Sequence, residues 1–92
     1  MTKKFRLEFV DEVGNSAERV VFGTEQDAHD SAAALEHEYP GMRCDGLYEE
    51  PLTRTDCEVN AAEWEAAAPT HVRGQEFCLR HAAIWRSLHA GI

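Results

Sequence analysis

The sequence is poor in the features that usually announce a function. Three cysteines among 92 residues, an odd number without a C-x-x-C pair, argue against a disulfide framework and for a reducing compartment. The three prolines, Pro40, Pro51 and Pro69, leave long stretches free for regular structure and mark where it stops. No run approaches the ~18–20 consecutive apolar residues of a membrane-spanning helix. Met-Thr-Lys-Lys leads into alternating residues rather than an apolar signal core, so no secretory leader and a cytoplasmic location are expected. Absent too are G-x-S-x-G, a P-loop, H-E-x-x-H and G-x-G-x-x-G, which removes the local signatures of hydrolases, nucleotide binders and zinc proteases. Basic residues are scarce: nine Lys and Arg against seventeen Asp and Glu give a net charge of -8. Between Glu8 and Glu65 sixteen acids face only Arg19, Arg43 and Arg54. Direct binding to nucleic acid or to an anionic membrane requires clustered cations and is disfavoured, whereas a basic partner is favoured.

What is present is strongest between Lys3 and Tyr39. Phe5, Leu7 and Phe9 alternate with Lys4, Arg6 and Glu8, the period of a half-buried strand. A two-residue turn at Gly14-Asn15 would pair Phe9 with Val20 and Leu7 with Phe22. Thr24 then caps a helix carrying Ala28, Ala32, Leu35 and Tyr39 on one stripe, ended by Pro40-Gly41. Met42 to Glu49 reads as a third strand with Gly46 marking a bulge. After a turn at Glu50-Pro51, Thr53 to Val59 reads as a short fourth strand. Asn60 and Glu63 have the spacing of a capping box ahead of a short Ala-rich helix to Ala68. Gly74 to Ala90 is the longest helix, with Phe77, His81, Ile84, Trp85 and Leu88 as its apolar stripe. The expected fold is therefore α+β: one domain over residues 1–92, an antiparallel sheet in strand-strand-helix-strand order, and a short and a long C-terminal helix.

Two constellations could carry chemistry. With the turn at Glu50-Pro51, Cys44 falls opposite Cys57; Cys78 and His81 lie one helical turn apart, so Cys44, Cys57, Cys78 and His81 form a candidate Cys3His zinc set. The plainer reading is that the cysteines are small buried hydrophobes. Catalysis would need a Cys, a His and a carboxylate brought together, and nothing local selects them, so no catalytic residue is assigned. The second constellation is acidic: Glu25, Asp27, Asp30, Glu36 and Glu38 on the first helix, and Asp45, Glu49, Glu50, Asp56 and Glu58 on the following hairpin. Such a surface either serves solubility or presents carboxylates to the Lys and Arg of a partner.

Shortness, acidity and a strand-strand-helix-strand unit in which Phe22-Gly23-Thr24-Glu25 leads into an Ala-rich helix resemble the small acidic inhibitors that phages encode against host defence, anti-CRISPR proteins among them. The resemblance covers Lys3 to Tyr48. It implies a stoichiometric, non-enzymatic inhibitor or nucleic-acid mimic in the host cytoplasm, docking on a basic surface of a protein or ribonucleoprotein complex; the chain is expected to be a monomer or homodimer, with no cofactor unless the zinc set is filled. The alternatives from other classes are the zinc-stabilised adaptor, a small enzyme and an oligomeric subunit.

Overall fold

The structure, a computed structural model, describes residues 2–92. It is α+β, in the order β1 (Lys3–Val10), β2 (Ser16–Gly23), α1 (Glu25–Glu38), β3 (Arg43–Glu50), α2 (Arg54–Ala67) and α3 (Gln75–Ala90). The chain divides into two compact units, Met1–Pro51 and Leu52–Ile92, and each is described by itself.

In the first unit β1 is the central strand of an antiparallel sheet ordered β2-β1-β3. The alternation in β1 does what its period requires. Phe5, Leu7 and Phe9 are at most 2% exposed, and Ala28 and Ala32 of α1 close over them, with Val21, Leu35, Met42, Cys44 and Leu47 around the rim. Each large side chain so buried contributes about 1.5–3 kcal/mol. Thr24 caps α1 through a reciprocal pair of hydrogen bonds with Asp27. Tyr39, expected on the buried stripe, is exposed at the end of the helix.

The hairpin register differs from the expected one. Asp11 builds a five-residue loop, its Oδ1 accepting from the Val13 and Asn15 amides at 2.9 and 2.8 Å and its Oδ2 from Asn15 Nδ2 at 3.0 Å. Gly14 supplies the φ of 88° within that loop. Pairing therefore begins at Val10 and Ser16, and Leu7 stands opposite Arg19, Phe5 opposite Val21 and Phe9 opposite Ala17. The offset from the two-residue turn is odd, so every β2 side chain changes face. Val20 and Phe22 leave the face occupied by Leu7, and Val21 takes it.

On β3 the register slips between Glu8 and Phe9: Gly46 pairs with Glu8 and Cys44 with Phe9, so Asp45 is the extra residue of a bulge. Gly46 is needed there for space. A Cβ on it would stand 2.6 Å from the Tyr48 ring, which folds back over the glycine. Arg6 lies over that ring at 4.8 Å and pairs with Glu8, Glu18 and Glu50.

The second unit is a pair of helices. Residues Thr53 to Val59 do not form a fourth strand. Thr53 and Asp56 make a full capping box and start α2 seven residues before the Asn60 expected to begin it. The alternation of Thr53, Thr55, Cys57 and Val59 is outweighed by burial at Cys57, Ala61 and Ala68, an i, i+4, i+11 helical spacing. The helix is consequently 14 residues long, as long as α1 rather than short. The Arg54 guanidinium donates to the Ile92 carbonyl at 3.0 and 3.2 Å, while Trp64 meets Phe77 and His81, so α2 and α3 run antiparallel. The buried line of α3 is Cys78, Ala82 and Trp85. The expected stripe is rotated, leaving Ile84 at 51% exposure.

Candidate functional site: an acidic cleft beside α1

Charge is divided unevenly between the units. Residues 1–51 hold twelve acids and five bases, a net of -7, and residues 52–92 a net of -1. The carboxylates proposed from sequence as one surface thus have different local fates.

Asp27 is spent within α1: the Thr24 backbone N–H donates to its Oδ2 at 2.8 Å, and that bond, with the Thr24 hydroxyl, holds the carboxyl below its ordinary range. Asp30 accepts from Gln26 Nε2 at 2.9 Å, and Glu25 lies 3.8 Å from His29. Glu49 pairs with Lys3 at 3.3 Å and Glu50 with Arg6 at 3.5 Å. Asp56 and Glu58 are not on a hairpin with Asp45. They belong to α2, where Asp56 caps the helix and Glu58 meets His89 Nε2 at 3.0 Å.

Glu36, Glu38 and Asp45 remain without an ion pair among the described residues, and Glu36 and Asp45 come together. They line a cleft of about 360 Å³ between α1 and β3, with His29, Ala32, Ala33, Cys44, Gly46 and Leu47 completing its walls. The bulge matters here, because the extra residue is Asp45 itself. Two carboxylates over an apolar floor of Ala32 and Leu47 give the cleft the chemistry that suits a cationic group on an aliphatic stem.

Cys44 is the one thiol on this cleft. Its Sγ–H donates to the Gly46 carbonyl at 3.3 Å, and burial, reinforced by the nearby Glu36 and Asp45 charges, raises its pKa. That environment favours the neutral thiol rather than a nucleophilic thiolate. Cys57 is fully buried in α2, its pKa also raised by burial. The strand pairing that would have set Cys57 opposite Cys44 does not exist: Cys44 faces Phe9 across the sheet, and Cys57 is helical. On α3 Cys78 turns into the helix interface while His81 stacks on Trp64 with ring centroids 4.6 Å apart. Among the described residues no group of three or more His, Cys, Asp or Glu side chains is placed to hold a metal ion.

Sequence reasoning passed over an aromatic cluster in the second unit. Trp64, His71, Phe77 and His81 touch in a ring of contacts between 4.5 and 5.8 Å, and Arg73 lies over Phe77 at 5.3 Å. The i, i+4 spacing of Phe77 and His81 was the available signal; Trp64 and His71 join them only through the helix pairing.

The first unit is thus a ββαβ sheet-and-helix module with an acidic cleft. Comparison with known protein families, characterised proteins and solved structures finds no match. Among the described residues no helix is long and apolar enough to cross a membrane.

Proposed function

We propose that this protein is a non-enzymatic interaction module whose acidic first unit docks on a basic, nucleic-acid-gripping surface of a protein or ribonucleoprotein complex. It would act there as a stoichiometric inhibitor or nucleic-acid mimic of the anti-CRISPR type. The observation that carries the reading is the convergence of Glu36 and Asp45 on one cleft, without ion-pair partners, within a unit of net charge -7. Unpaired carboxylates repel one another and lower stability, so a cationic partner gains both its own attraction and the relief of that repulsion. Acids already tied to His29, Lys3, Arg6 or a helix cap have less to offer and serve as the surrounding field.

The test is a pull-down from lysate of the native host, followed by competition. The captured partner should bind nucleic acid, and this protein should displace it, while the protein alone binds neither DNA nor RNA. Charge reversal by Glu36→Lys with Asp45→Lys should slow association and weaken its salt dependence with little effect on melting. A complex indifferent both to the reversal and to raising salt from ~50 to ~500 mM, which shortens the Debye length from about 14 Å to about 4 Å, overturns the reading.

A further inference from the structure

The second unit buries too little to stand as two helices alone. Its 41 residues enclose Cys57, Ala61, Ala68, Cys78, Ala82 and Trp85, of which only Trp85 is larger than a cysteine. A domain of that length ordinarily needs a staple, a metal or a partner, and its cysteines are free.

The two sides of the helix pair are unlike. One side is laced by the Arg86–Glu65 ion pair and the His89–Glu58 hydrogen bond. The other carries Asn60 and Trp64 from α2 and Phe77, His81, Ile84 and Leu88 from α3. The α3 residues recur at i, i+4, i+7 and i+11, a continuous stripe. All are only half-buried except Ile84, which is 51% exposed.

We propose that this side is a homodimer interface, covered by the same side of a second copy to form an antiparallel four-helix bundle. Charge selects the copy and its arrangement. Asp56 is used as the α2 cap, Glu58 and Glu65 meet His89 and Arg86 on the other side, and Arg54 holds the Ile92 carbonyl, which leaves Glu63 of α2 and Arg80 of α3 as the charges beside the stripe. A two-fold axis parallel to the helices lays each acidic α2 against the partner's α3 and never against the partner's α2. Glu63 and Arg80 flank the stripe on α2 and α3, and neither has an ion pair among the described residues, so they supply complementary rim charges. Size sets the strength. Helices of 14 and 16 residues are about 21 and 24 Å long and pack ~9 Å apart, presenting roughly 400 Å² per copy. That is about 800 Å² in total, below the ~1,200 Å² at which standard specific interfaces begin, so the dimer is a weak, transient one, seen only at high protein concentration.

Sedimentation of the full chain from ~1 to ~200 µM, with circular dichroism in parallel, tests this. The expected result is a monomer–dimer transition across that range. Ile84→Glu should abolish it without loss of helix, since Ile84 is exposed in the single chain, whereas Leu79→Glu, at an exposed site on the ion-paired side, should leave it intact. Glu63→Arg and Arg80→Glu should each weaken the dimer several-fold, and the two together restore it. A wild-type monomer at ~200 µM overturns the interface, as does a dimer that Ile84→Glu leaves unchanged. Single charge reversals that behave like wild type overturn the bundle arrangement.

Discussion

Thr53 and Asp56 close a reciprocal pair of hydrogen bonds, the Asp56 amide donating to Thr53 Oγ1 at 3.1 Å and the Thr53 amide to Asp56 Oδ2 at 3.0 Å. Two of the amides left over at the start of α2 are satisfied, and the helix begins there. Thr53→Ala should therefore cost about 1 kcal/mol. Asn60→Ala, which removes one bond from Asn60 Nδ2 to the Asp56 carbonyl within the helix, should cost less. Urea unfolding followed by circular dichroism orders the two; a larger loss at Asn60 contradicts the cap.

The sheet register separates residues that look equivalent in the sequence. Leu7 is 0% exposed and Val20 is 46% exposed. Leu7→Ala should cost on the order of 2–5 kcal/mol, and Val20→Ala less than about 1 kcal/mol. Equal losses in chemical denaturation would restore the two-residue turn.

Acid should loosen both ends of the β2 segment. Asp27 is held below its ordinary range by the Thr24 amide and hydroxyl. Asp11 is also lowered: burial pushes it up, but the Asn15 backbone and side chain and the Val13 and Gly14 amides outweigh that. Because both folded-state values lie below the unfolded carboxylate value of about 3.9, their contribution is complete above that pH and is lost as pH falls through the folded values. Melting temperature should decline below about pH 4, and less steeply in Asp27→Asn. An identical acid profile in that variant rules out the contribution.

Cys44 should alkylate slowly at neutral pH, with its reactivity rising only above the ordinary thiol value of about 8.5. Burial is the main cause, and Glu36 adds to it. Glu36→Gln should move the rate profile to lower pH by removing a charge that disfavours the thiolate, and iodoacetamide rates across pH measure the shift. A profile that does not move would separate Glu36 from Cys44 and weaken the cleft as a unit.

Local patterns were sufficient where a segment had one partner face and one period. The alternation of Phe5, Leu7 and Phe9 specified a strand with a buried side, Thr24 and Asp27 a helix start, and Gly46 a bulge, because each depends on neighbours within a few residues. Where two local readings competed, long-range packing chose. Thr53 to Val59 could alternate as a strand or cap as a helix, and burial of Cys57 and Ala61 against α3 settled it. The hairpin register hung on whether Asp11 bonds to Asn15, a choice that turns every β2 side chain over. The acidic composition was visible at once. That Glu36 and Asp45 share a cleft while Asp27 and Asp56 are consumed as caps was decided by the bulge and the helix starts, since only folded geometry determines which charges find a partner.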